Sequence, residues 1–83
     1  MNKPITIYAD FNNADSKGRI RLNTEGSKQE IVAKGVDLQS GLKVMLDDDE
    51  GLSVLGTVQF STEEKIWVVE INWDEIVDRN KKF

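Results

Sequence analysis

The sequence contains no cysteine and no histidine, and only one proline. Without cysteine there is no disulfide, thiolate zinc site, iron–sulfur cluster or cysteine nucleophile, and the composition fits a reducing compartment. Without histidine, the commonest general base and the commonest transition-metal ligand are both missing. Long apolar runs are missing too. No stretch approaches the roughly 20 residues that a membrane-spanning helix needs, and the first residues, Met1 to Thr6, have no apolar signal-peptide core. The expectation is a cytoplasmic protein that does not enter a membrane. Gly-rich phosphate loops, nucleophile elbows and zincin helices are absent. A chain of 83 residues leaves little room for a cleft holding a catalytic carboxylate pair. No enzyme activity, catalytic residue, cofactor or metal is assigned.

What the chain does have is alternation. Ser53 to Phe60 and Ile66 to Trp73 are two β-rich runs joined by a polar connector, the pattern of a β-hairpin with a four- or five-residue loop. In the second run Trp67, Val69, Ile71 and Trp73 recur at period two, which predicts one buried face. Ile5, Ile7, Ala9 and Phe11 predict a first strand, Ile20 and Leu22 a second with Arg19 and Arg21 facing water, and Leu42, Val44 and Leu46 a third. The loop from Asn12 to Gly18 is expected to close a hairpin between the first two strands. Ser27 and Glu30 match a capping box, with Gly35 as a C-terminal stop; the segment 28–34 is read as a short helix, with a strand as the alternative. Gly56 inside the fourth strand marks a bulge or a close backbone approach. From Trp73 onward, acidic residues lead and Arg79, Lys81 and Lys82 follow, which predicts a terminal turn of helix fraying by Phe83.

One domain is expected, mainly β: a small antiparallel barrel or strongly curved sheet of about five strands, with one short helix and a C-terminal helical turn. The runs from Leu38 to Leu46, Leu55 to Val58 and Trp67 to Ile71 resemble the strand rhythm of SH3-like barrels. That resemblance implies a barrel. It does not imply a proline-rich ligand, because the paired aromatic and acidic ligand loop of peptide-binding SH3 domains is missing. Tyr8 to Asp15 with Gly18 to Asn23, and Gly56 to Val58 with Trp67 to Trp73, resemble a group of short uncharacterised bacterial proteins. This implies one intact domain and carries over no functional residue.

The formal charge of −4 is uneven. Residues 1–46 carry seven basic and five acidic groups and residues 47–83 four and ten, so the halves stand at +2 and −6. An acidic C-terminal half opposes phosphate-backbone binding and suits a basic partner or pairing within the chain. Asp47, Asp48, Asp49 and Glu50 form the densest cluster, expected as a solvated turn that pairs with Lys17, Arg19 and Arg21 or with a basic protein. Tyr8, Arg19 and Arg21 offer the one aromatic and basic combination compatible with nucleic acid, a partner the charge disfavours. Asp10, Asn12, Asn13 and Asp15 gather oxygen donors, but an EF-hand register starting at Asp10 puts Ala14 fifth, Asp15 at the glycine position and Arg21 where a bidentate Glu belongs. Trp73 ends the apolar stripe and is a candidate contact if exposed. The function these features support is a small non-catalytic interaction module, with a protein partner or self-association. The alternatives are a weak nucleic-acid binder using the Tyr8 patch and an acidic inhibitor resembling an antitoxin.

Overall fold

The alternating apolar positions fold into a six-stranded sheet in the computed structural model, which describes residues 3–80. In chain order its elements are β1 (Ile5–Tyr8), β2 (Ile20–Arg21), helix α1 (Glu25–Ala33), β3 (Lys43–Asp47), β4 (Leu52–Ser61), β5 (Ile66–Ile71), a 3-10 turn (Trp73–Glu75) and β6 (Val77–Asp78). The strand order is β1-β3-β4-β5-β2, with β6 paired to the start of β4.

The expected antiparallel barrel is not formed: the sheet is mixed and does not close. β1 lies parallel to β3, with Ile5 opposite Val44 and Ile7 opposite Leu46. A parallel neighbour requires a long crossover, and the chain supplies it by passing to β2 at the far edge and returning through α1. The hairpin expected between β1 and β2 therefore forms only at its tip, where the Arg21 N–H donates to the Asn13 carbonyl and the Asp15 N–H to that of Arg19.

The edge of β1 is sealed by a helix instead of by another strand. Ser27 Oγ donates to the Tyr8 carbonyl at 2.6 Å, the Tyr8 N–H donates to the Glu30 carboxylate at 2.7 Å, and the Lys34 ammonium donates to the Thr6 carbonyl. Side chains thus take the backbone bonds that would otherwise recruit another strand. Gly26 permits this approach, since a Cβ there would stand 2.7 Å from Cδ2 of the Tyr8 ring. The helix begins earlier than its capping-box reading. Thr24 is the N-cap, its hydroxyl accepting the Ser27 N–H at 3.1 Å, because the Ser27 hydroxyl is committed to β1. Its end is as expected: Gly35 takes φ 61°, and the Gly35 and Val36 N–H groups donate to Val32 and Ile31, a Schellman closure. That closure turns Ile31 and Val36 onto the core and leaves Val32 outside.

The core holds Ile7, Ala9, Ile20, Val44, Leu46, Val58 and Val69, all fully buried. Each larger member contributes roughly 1.5–3 kcal/mol of burial. Val69 and Ile71 of the expected stripe face this core, and Trp67 packs on it while stacking edge-to-face with Phe60 at 5.1 Å. Trp73 leaves the stripe, because the strand ends at Ile71 and Asn72 caps the following 3-10 turn. On the other face of β5, Val68 is also fully buried, flanked across the strands by Arg21 and Gln59, whose long stems shield it. The β4–β5 loop has four residues, Thr62 to Lys65, closed by the Lys65 N–H donating to the Ser61 carbonyl at 2.7 Å. Gly56 meets the expected close approach: a Cβ would lie 2.4 Å from Val69 Cγ1 and 2.8 Å from the Glu70 carbonyl. After the 3-10 turn the chain extends into β6, so the C-terminal helical turn is a single short one; Lys81, Lys82 and Phe83 lie outside the described residues. No described helix is long and apolar enough to cross a membrane.

Candidate interaction surface

The polar residues singled out in the sequence are largely occupied by the chain itself. In the acidic turn, Arg79 grips the Asp47 carboxylate through both terminal nitrogens, at 3.0 and 3.2 Å. That guanidinium, helped by the Asp49 N–H, holds the Asp47 carboxyl below the usual carboxylate range against a smaller opposing push from burial. Asp48 accepts the N–H groups of Glu50 and Leu52. Two of the four acids therefore build the turn, and only Asp49 and Glu50 stand exposed. The turn is further fixed by β6, where the Arg79 N–H donates to the Gly51 carbonyl and Asn80 reaches the Glu50 carbonyl.

The expected pairing of this turn with Lys17, Arg19 and Arg21 does not occur. Lys17 pairs with Glu63 at 3.2 Å, Arg19 with Asp15 at 2.9 Å, and Arg21 with Glu64 through two bonds of 2.7 and 2.8 Å. Nor do the two arginines face water freely: the Arg19 side chain is only 13% exposed and its Asp15 partner 4%. Burial pushes the Asp15 carboxyl up, but the N–H groups of Arg19 and Lys17 and the Arg19 guanidinium outweigh it, so its pKa is lowered. The Glu64 hydrogen bond raises the Arg21 pKa, and Arg21 lowers that of Glu64 in turn. Tyr8 sits on β1 against α1, while Arg19 and Arg21 flank β5 across the sheet, so the aromatic and basic elements of the nucleic-acid patch belong to different edges.

The oxygen-rich loop is a set of turns. Asp10 accepts the Asn12 N–H, Asp15 those of Lys17 and Arg19, and Asn13 links to Asn23 and Arg21. Among the described residues no group of three or more carboxylates is placed to hold a metal ion.

Two open grooves lie at the two ends of β5. At its C-terminal end, a groove of about 610 Å³ is lined by Lys43, Leu55, Thr57, Glu70, Trp73 and Glu75, among others. Trp73 is 45% exposed but pinned, its indole N–H donating to the Gly18 carbonyl at 2.9 Å. Lys43 donates to Thr57 at 2.6 Å, and the other charged groups of the lining are the carboxylates of Glu70 and Glu75.

At the N-terminal end of β5, α1 and the β2 exit enclose a second groove of about 450 Å³. Its walls are Leu22, Ile31, Val32, Leu38, Ile66 and Trp67, with Lys28 and Lys65 at the rim and Asn23 as the remaining polar member. Val32 is 80% exposed, the most open of the large apolar side chains described. Sequence patterning did not single out this surface. A nine-residue helix with Ile31 and Val32 as its main apolar payload can point only one of two adjacent residues at the core, which is the signal that would have found it.

The chain matches no protein-family model, no curated protein and no solved structure in the comparisons made.

Proposed function

We propose that the chain is a small non-catalytic protein-interaction module and that the groove between α1 and the start of β5 is its binding surface. The observation that carries this reading is Val32, held outside by the Schellman closure beside a continuous apolar wall of Ile31, Leu38 and Trp67. An exposed, contiguous apolar surface with a polar rim is the anatomy of a protein contact. Two features favour binding over catalysis. Both grooves are open to solvent rather than enclosed. The carboxylates with displaced pKa values are all lowered, Asp47 and Glu64 chiefly by arginine partners and Asp15 by backbone N–H groups together with Arg19, the direction of a structural role rather than of a general acid. The acidic turn serves this module as a rigid corner, since Asp47 and Asp48 are spent on its geometry.

Because the chain has no cysteine, one introduced thiol reports from one place. A photo-cross-linker attached at Val32→Cys is expected to give a discrete adduct in a lysate of the source cells, whereas one at Leu55→Cys, in the other groove, gives none. Identical patterns from the two positions, or no adduct from Val32→Cys, would overturn the assignment.

A further inference from the structure

We infer that the occupant of the α1–β5 groove is an acidic, apolar segment of a partner protein, an inference that rests on that groove being the binding surface. Acidic residues outnumber basic ones 15 to 11 in the chain, yet the groove carries two lysines and no acid. These lysines are also unspent. Lys17, Arg19, Arg21, Lys34 and Arg79 each have a carboxylate partner within the molecule; Lys28 and Lys65, like Lys3 and Lys43, have none among the described residues, and unlike Lys43, which donates to Thr57, they make no side-chain hydrogen bond there either. The groove at the other end of β5 has the opposite character, with Glu70 and Glu75 on its rim and its lysine engaged by Thr57. A ligand presenting apolar side chains between carboxylates therefore meets a complementary surface at one end of β5 and a repulsive rim at the other.

Other occupants fit less well. A basic segment would bring like charge against two ammonium groups. A lipid tail needs most of its surface covered, and this groove is open along its length. A second copy docking by a two-fold axis would apply the same patch to itself, setting the lysines of one copy near those of the other. Apolar side chains filling the space beside Trp67 and Val32 supply most of the affinity, and the rim lysines select and orient.

The test uses two short amphipathic peptides with identical leucine positions, one carrying glutamate and the other lysine on its polar face, titrated against the full chain at low and moderate salt. The glutamate peptide is expected to bind and the lysine peptide not to. Changing Lys28→Glu and Lys65→Glu together should weaken the glutamate peptide by about two- to thirtyfold, the combined value of two exposed pairs, and should let the lysine peptide bind. Equal binding of both peptides, abolished by Val32→Asp, would overturn the acidic partner while leaving the groove as the binding surface. Failure of both peptides to bind would overturn the groove assignment as well. Sedimentation of the free chain as a dimer that Val32→Asp dissociates would replace the acidic segment with a second copy.

Discussion

The two tryptophans stand at opposite ends of one strand and do opposite things. Trp67 packs into the core edge against Phe60 and lines an apolar groove whose two lysines have no side-chain partner among the described residues. Trp73 has left the strand, is tied by its indole N–H to Gly18, and borders a groove rimmed by carboxylates. Exposure alone would choose Trp73 as the contact residue. What surrounds the rings reverses that choice: one groove carries two carboxylates and a lysine held by Thr57, and the other has an uncovered apolar wall and two lysines with no side-chain partner among the described residues. In a chain this small, where many of the described polar side chains build turns or ion pairs, the groups left without an internal partner are the better guide to a surface.

The comparison can be broken at several strengths. Trp67→Ala should cost about 3 kcal/mol, the low end for a large aromatic because the ring is only partly covered, read as a loss of urea midpoint at unchanged slope. Gly56→Ala forces a methyl against the Glu70 carbonyl and Val69, and about 2 kcal/mol of overpacking strain is expected. A midpoint equal to wild type would show that the sheet relaxes there. Asp15→Asn should cost about 1.5 kcal/mol at neutral pH, from hydrogen bonds to a charged acceptor. Because the folded Asp15 carboxyl lies below its ordinary 3.8, its contribution is complete above that value and is lost as pH falls through the folded one. Asp47 acts with the same sign. Thermal melts from pH 6 to pH 2 should show wild-type stability falling at the acid end and Asp15→Asn falling less; parallel curves would remove Asp15 as a source. Trp73→Phe loses one hydrogen bond and should cost only about 1 kcal/mol.

Much of the scaffold was legible because it follows from local alternation. Ile7, Ala9, Ile20, Leu22, Val44, Leu46 and Val69 are buried as period two requires, the β4–β5 loop has its expected length, and Gly56 marks a close approach. Features set by distant partners were not legible. The parallel β1–β3 pairing depends on a crossover that no local pattern encodes. Arg21 meets Glu64, which lies 43 positions away, and Arg79 meets Asp47 at a separation of 32. Those pairings removed Arg21 and Asp47 from the supply of free charge, and the local Arg19–Asp15 pair removed Arg19. Only the exposure of Val32 was signalled locally, by two adjacent apolar residues on α1; the rest of the groove comes from the segment after β2 and the start of β5, whose adjacency to α1 is set by the fold.

On the proposed reading, the lysine-rimmed end of β5, and not the Trp73 end, is the surface used. Val32 and Leu55 are exposed apolar residues, one in each groove; an aspartate should cost about 0.5 kcal/mol at Val32 and about 1 kcal/mol at Leu55, which lies in a central strand. The deciding measurement is capture of the Val32→Cys cross-linked partner by wild type, Val32→Asp and Leu55→Asp at matched stability. Val32→Asp is expected to lose the partner and Leu55→Asp to keep it. Retention by Val32→Asp with loss by Leu55→Asp would contradict that reading.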